Sequence, residues 1–291
     1  MNEHNLKRFL SKVEDMEGEE AYEAGRIGYA AQTLIQATLP HSDPKQTYFE
    51  RRNGDLTLSI SANLNIGLPY GIYPRLILAW VVTEAVKTKS PELIFGSSFN
   101  QFMRKLDLVS TGGRHGTIAP VKKQMHRLFS SAISFDWTKK DSFSTGGVIS
   151  IASKYMLWWD TKNPAQGSLL NSTVTLNTDF FNHIIEKPVP IDLGAIAILK
   201  SSCVALDLYC WLTYKMFSLK KETRLSWKGL QEQLGANYAN TKQGRYNFKE
   251  KLKEQLPKVL TVYHEAKVTV DENGLIMRPS ATHVKKRLKS T

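Results

Sequence analysis

Cysteine is nearly absent from the chain, with two in 291 residues, Cys203 and Cys210. They lie seven apart in an apolar segment with helical spacing, so they face one side and read as two small buried hydrophobes rather than a disulfide or a metal pair. Long apolar runs are missing too. The longest, over 76–82 and around 208–211, fall far short of the ~18 residues that cross a bilayer, and no membrane span is expected. The first nine residues carry Glu3, Lys7 and Arg8 with no apolar stretch between them, which argues against a secretory signal and for a cytoplasmic protein.

Catalytic patterns are missing as well. The seven histidines, His4, His41, His115, His126, His183, His264 and His283, include no closely spaced pair. That leaves neither a metal-ligand cluster nor the His-x-His motif of tyrosine nucleases, and the 11 tyrosines read as core and interface residues rather than nucleophiles. The glycine-rich string Thr111-Gly112-Gly113-Arg114-His115-Gly116 lacks the Gly-Lys-Ser/Thr ending with which a P-loop holds phosphates. No nucleophile elbow or Cys/His arrangement points to hydrolysis. Trp158-Trp159 reads as buried aromatic packing. The sequence implies a binding protein without a cofactor, not an enzyme.

What is abundant is positive charge, and its position matters more than its sum. Lys plus Arg number 39 against 27 acidic residues, a net charge of +12. Residues 1–30 hold 4 basic and 7 acidic side chains (net −3), residues 31–195 hold 17 and 12 (net +5), and residues 196–291 hold 18 and 8 (net +10). A last third this basic points to a polyanion, of which nucleic acid is the commonest.

Periodicity divides the chain into two similar stretches. Residues 1–28 are charged and weakly periodic, and are expected to form a mobile N-terminal tail with a short helix at best. Leu56, Leu58 and Ile60 alternate with Thr57 and Ser59 as in a half-buried strand. From Pro74 the spacing predicts a buried helix through Leu76, Ile77, Trp80, Val81 and Val86. A second helix starts at a Ser97 or Ser98 cap and carries Phe99, Phe102, Met103 and Leu106 at i, i+3, i+4, i+7. Beyond the glycine turn a third helix carries Ile118, Val121, Met125, Leu128 and Phe129, and strand-like runs follow at 132–137, 148–153 and 174–176.

Glu186-Lys187-Pro188-Val189-Pro190 marks a boundary, after which the order returns. Apolar helices cover 193–217, and Ser226 caps a helix with Trp227, Leu230 and Leu234. A turn over 235–240 leads to a helix over 241–256 stopped by Pro257, and strands at 259–262 and 267–270 join a turn at 271–274. Three helices and a small sheet, twice over, is the order of two tandem winged-helix domains, helix-turn-helix plus small β-sheet, in the α+β class. The expected domains are 29–187 and 188–279, with a basic C-terminal tail over 280–291.

The helix over 241–256 concentrates the candidate site. Phe248, Leu252 and Leu256 form a strip for inward packing, while Lys242, Arg245, Lys249 and Lys253 form an adjacent cationic strip with Tyr246 beside it. Such a helix fits the major groove of DNA, where Arg and Lys reach G O6 and N7 and phosphate contacts fix register. A solvated surface helix is the plainer reading, since Glu250 and Glu254 interrupt the charge. Its place after a turn and before a strand pair favours DNA. Lys228, Lys267 and Arg278, and in the tail Lys285, Lys286, Arg287 and Lys289, are expected to add phosphate contacts. In the first half Arg114, Lys122, Lys123 and Arg127 lie on or just before the third helix and are further candidates, against the alternative that they are solvated charges of a dimerisation domain.

Several strings in order carry a resemblance: Leu39-Pro40-His41-Ser42-Asp43-Pro44; Gly67-Leu68-Pro69-Tyr70-Gly71 with Pro74-Arg75-Leu76; Thr83-Glu84-Ala85-Val86 with Thr88-Lys89-Ser90; and Thr111-Gly112-Gly113-Arg114 with Gln124-Met125 and Arg127-Leu128-Phe129. Together they resemble the RepA-type plasmid replication initiator family, from about residue 29 to about residue 279. The resemblance implies an initiator that binds repeated double-stranded DNA sites (iterons) at a plasmid origin, helps to melt adjacent DNA and recruits the host helicase and host initiator. It also implies copy-number control through monomer–dimer self-association, and repression of the initiator's own gene. Iteron initiators of this type use two winged helices, which implies that 188–279 is dominant in DNA reading and that 29–187 serves dimerisation and secondary DNA contacts, in line with the charge gradient. The runner-up is a winged-helix transcriptional regulator without a replication role; a nuclease or primase is disfavoured by the missing constellations.

Overall fold

The computed structural model describes residues 3–18, 20–139, 143–157, 172–236 and 238–285. Trp158, Trp159, Lys286, Arg287 and Lys289 lie outside the described residues. The chain forms two compact units, one of Leu39–Pro188 and the other of the residues before and after it.

The N-terminal residues differ from the expected tail. They form α1 (Glu3–Glu17), β1 (Ile27–Ala31) and α2 (Gln32–Gln36). Helix α1 buries Val13 and Met16, and the Arg26 guanidinium donates to the Met16 carbonyl at 2.8 Å and to Asp192 Oδ1 at 3.3 Å. The partners that order this segment are distant in sequence. Strand β1 pairs with a strand opening at Pro188, so the segment belongs with the C-terminal residues and not with Leu39–Pro188.

The Leu39–Pro188 unit opens with the hairpin β2 (Tyr48–Asn53) and β3 (Leu56–Ser61). Leu56, Leu58 and Ile60 are buried, as their alternation predicts. Then come α3 (Ile72–Thr88), β4 (Glu92–Gly96), α4 (Phe99–Lys105) and α5 (Ile118–Ser130). Ser98 is the cap of α4, its Oγ accepting from the Gln101 N–H at 3.2 Å. Packing centres on Trp80, Phe95 and Phe102, whose ring centroids are 5.1, 5.2 and 4.9 Å apart. Next are β5 (Ala132–Lys139), β6 (Phe143–Ser150), β7 (Ala152–Met156), β8 (Ser172–Leu176) and α6 (Thr178–Glu186). The run over 148–153, expected as one strand, is divided between two antiparallel sheets, β2-β3-β5-β6 and β4-β8-β7, with fully buried Ile151 at the break. Strand β4 has no alternation to announce it. It is held by pairing with β8, Leu93 opposite Val174.

The other unit adds β9 (Pro188–Asp192), α7 (Leu193–Leu199), α8 (Cys203–Ser218), β10 (Thr223–Ser226), α9 (Trp227–Leu234), α10 (Lys242–Val262), β11 (Val268–Val270) and β12 (Gly274–Met277). Its core gathers Leu208, Tyr209, Trp211 and Leu212 of α8 with Leu230, Leu234, Phe248, Leu252 and Val259. The one polar atom of Trp211 is satisfied inside that core, Nε1 donating to Gln233 Oε1 at 2.8 Å. Cys203 and Cys210 stand on α8, both half-buried and not joined in a disulfide.

Helix α10 is longer than predicted. Pro257 was expected to stop it and 259–262 to be a strand, yet the helix runs through Pro257 to Val262. Pro257 lies on the exposed side, and so does Lys253, whose carbonyl loses its intrahelical donor to the proline. On the other side Leu252, Leu256, Val259 and Val262 continue a buried face with helical spacing, which offsets the missing bond. The strand pair of this region is β11 with β12.

The architecture is mixed, helices with several small antiparallel sheets. The orders in the two units are similar: α3-β4-α4-α5 followed, after β5 and β6, by β7-β8 in one, and α8-β10-α9-α10-β11-β12 in the other. In each three-stranded sheet the last strand lies between the other two, β4-β8-β7 and β10-β12-β11.

Candidate nucleic-acid interface

The start of α10 is fixed by three devices. Thr241 caps it, Oγ1 accepting from the Gly244 N–H at 3.0 Å. Gly244 is buried, and a Cβ there would collide with the Ala239 carbonyl, so the first turn of the helix presses directly on the preceding backbone. Gln231 of α9, itself buried, donates from Nε2 to the Ala239 and Tyr238 carbonyls at 2.9 and 3.2 Å, which locks the connection between the two helices.

Gly244, Phe248, Leu252 and Gln255 are buried at i, i+4, i+8, i+11 and define the inner face of α10. The predicted cationic strip runs along one flank. Lys242 and Lys253 are exposed, and Arg245 and Lys249 half-buried. The Lys249 ammonium lies 5.1 Å from the Trp227 ring and donates to the Glu272 carbonyl at 3.4 Å. The Lys253 ammonium is 6.0 Å from the same ring and 3.8 Å from the Glu250 carboxylate. Arg245 donates from Nη2 to Asn240 Oδ1 at 3.3 Å, while its Nε is enclosed with no hydrogen-bond partner. Tyr246 projects from the helix with 59% of its surface exposed.

The turn between β11 and β12 is short and closed. Asp271 Oδ1 accepts from the Asn273 and Gly274 N–H groups, both at 2.8 Å, and Trp227 holds the turn from below, its Nε1 donating to the Glu272 carbonyl at 2.9 Å. Lys267 is exposed at the other end of the strand pair, where its carbonyl accepts from the Arg278 N–H at 2.9 Å. Arg278 pairs with Glu222 at 3.0 Å and Lys228 with Glu232 at 3.9 Å, all four side chains well exposed. Surface pairs of this kind contribute only about 0–1 kcal/mol, so a phosphate exchanges readily for the carboxylate. Lys285, also exposed, stands 2.7 Å from Glu20.

In the Leu39–Pro188 unit the helix that corresponds to α10 is α5. Its entry loop is stapled by reciprocal bonds at 3.1 Å, Thr111 N–H to Thr117 Oγ1 and Thr117 N–H to Thr111 Oγ1. Arg114 and Lys123 are exposed; Lys122 is half-buried with its ammonium 5.1 Å from the Phe99 ring.

Arg127 corrects the prediction. It is 8% exposed, 3.4 Å from Asp43 Oδ2, hydrogen-bonded to the Leu68 carbonyl at 3.1 Å and stacked 5.1 Å from the Tyr70 ring. Partial burial works to raise the Asp43 carboxyl, but the Lys45 N–H and the Arg127 charge outweigh it and hold the group below its ordinary value. A guanidinium committed in this way is not offered to DNA. At helical spacing Arg127 falls beside Gln124 and Leu128, on the inner face of α5.

Two residues that charge and position did not single out complete the same knot. Gln124 Oε1 accepts from the Tyr70 N–H at 2.9 Å. Arg75 donates from Nη1 to the Gly71 and Pro40 carbonyls at 2.7 and 3.2 Å and from Nη2 to the Leu39 carbonyl at 2.7 Å. Gly67 holds φ +80°, and a Cβ there would sit 3.0 Å from Arg127 Nη2. The strings around Pro40, Gly67, Arg75 and Arg127 thus converge on one polar knot that sets the position of α5. Their place in the sequence resemblance was the available signal; their chemistry is structural.

Among the described residues no group of three or more His, Cys, Asp or Glu side chains is placed to hold a metal ion. No helix among them is long and apolar enough to cross a membrane.

The sequence model of the plasmid-encoded RepA protein family matches residues 68–228, more than half of the chain. No curated protein matches it. Two crystal structures are similar in fold. One, of selenomethionine derivatives of domains 2 and 3 of RctB, shares 9% identity at a TM-score of 0.52, covering 86% of this chain and 96% of that one. The other, of RctB residues 155–483, has the same identity and TM-score and covers 84% and 93%.

Proposed function

Since the chain belongs to the plasmid-encoded RepA protein family, we propose that it is a plasmid replication initiator acting by sequence-specific binding of double-stranded DNA. In this reading both units contain a winged helix, with α5 and α10 as the third helices and the β7–β8 and β11–β12 pairs as the wings. The observation that carries the reading is α10: a capped helix with cations along one flank, entered by a locked turn and followed by a strand pair. Lys242, Arg245, Tyr246, Lys249 and Lys253 of α10, with Lys228, Lys267 and Arg278, form the main DNA surface. Arg114, Lys122 and Lys123 provide secondary contacts from the other unit, whose further task is self-association. The protein binds repeated sites at its origin in the cytoplasm, promotes opening of adjacent DNA and brings in the host helicase and initiator. Self-association and repression of its own gene limit copy number.

The test is maintenance. A circular DNA carrying only this gene and its flanking repeats should replicate in a suitable host, and should be lost when Lys242→Ala and Lys249→Ala are combined. A protein that represses its promoter but sustains no plasmid is a transcriptional regulator instead.

A further inference from the structure

The exposed side of α10 carries more than its lysines. On the side away from the buried row of Gly244, Phe248, Leu252 and Gln255 lies an outer row of Gln243, Tyr246, Asn247 and Glu250, at i, i+3, i+4, i+7, all four exposed. The cations occupy the flank between the two rows, and part of that flank is already engaged by Trp227 and the Glu272 carbonyl. A helix entering the major groove presents its outermost row to the base edges and its flanks to the phosphates.

Two features of the outer row suit bases better than phosphates. Gln243 donates from Nε2 to Asn247 Oδ1 at 2.8 Å, one turn apart, which orders two amides side by side. After that bond the pair still offers the Gln243 carbonyl oxygen as an acceptor and N–H groups of both amides as donors. That combination matches the N6 donor and N7 acceptor of adenine in the major groove. Glu250, next in the row, is repelled by phosphates and attracted by base amino groups such as cytosine N4.

Resting on the DNA-binding reading above, we infer that Gln243 and Asn247 are the specificity-determining side chains of α10 and that they select an adenine in each repeated site, while Lys242, Lys249 and Lys253 contact phosphates. Specificity resides in the amide pair and affinity in the cationic flank.

The experiment is selection of bound duplexes from a random DNA pool by the full-length protein, followed by titrations of the selected site and of single base-pair variants over a range of salt. Both amides are exposed, so Gln243→Ala and Asn247→Ala should fold normally, checked by circular dichroism. Each should lose roughly ten- to a hundred-fold of discrimination at one A·T pair with the salt slope unchanged. Lys242→Ala should weaken all sites alike and reduce the slope by about 0.9. If the wild type enriches a defined site and both amide variants keep its base preferences intact, the assignment is wrong while the origin-binding reading stands. If the wild type enriches no site at all, the origin-binding reading itself fails and the assignment with it.

Discussion

Arg127 and Asp43, 84 positions apart in sequence, meet at 3.4 Å under the α5 helix, with the guanidinium closed in by the Leu68 carbonyl and the Tyr70 ring. The position of α5, and with it of Lys123, Arg114 and their loop, depends on that buried cation.

Arg127→Ala should therefore act on stability. It removes charged hydrogen bonds and leaves the Leu68 carbonyl unmatched, so a loss of about 2–3 kcal/mol is expected in urea unfolding. The salt slope of DNA binding by the protein that remains folded should not change. A lower slope with unaltered stability would return Arg127 to the DNA surface.

Charge removal should rank the two units. Lys242→Ala should reduce the salt slope of DNA binding by about 0.9, and Lys123→Ala by less, since the first stands on the main DNA surface and the second on the secondary one. Equal reductions, measured in parallel salt titrations, would give the two helices equal parts in binding.

Pro257 is a cost the fold accepts. Pro257→Ala restores a donor for the Lys253 carbonyl on the exposed side of α10 and leaves Leu256 and Val259 in place, so the free energy of unfolding in urea should rise by roughly 1 kcal/mol or more. A fall would mean that the proline shapes the helix in a way its neighbours need.

His283 should make stability depend on pH. The Tyr209 hydroxyl accepts the Asp192 N–H at 2.9 Å and stands 2.7 Å from His283 Nδ1, which as a neutral nitrogen accepts its proton. Burial pushes His283 below its ordinary value, against the pull of Asp192 and Glu265. The unfolded chain then takes up a proton at a higher pH than the folded one. Stability should fall as pH drops from above the ordinary histidine value of about 6.5 toward the lower folded value. Unfolding of the wild type at pH 7.5 and 5.5, compared with His283→Gln, checks this: the variant should lose part of the pH dependence.

Much of the scaffold was legible because its signals are local. The Ser98 and Ser226 caps, the alternation of Leu56, Leu58 and Ile60, and the inward strip of Phe248, Leu252 and Leu256 need no partner to be read. What sequence hid depends on distant partners. Strand β1 and helix α1 take their place from a strand opening at Pro188, and β4 from pairing with β8. Pro257 misled because a breaker costs little where its freed acceptor faces solvent. At the candidate site, charge located the flank of α10 but included Arg127, whose burial no charge count reveals. It also passed over Gln243 and Asn247 of that helix, whose amides are polar and uncharged.

The most direct measurement is footprinting of the purified protein on DNA flanking its own gene, against a shuffled control and with competitor DNA present. Evenly spaced protection over direct repeats, surviving competitor, is the predicted result. Equal protection of the shuffled control, or a single palindromic footprint over a promoter, would contradict the initiator reading.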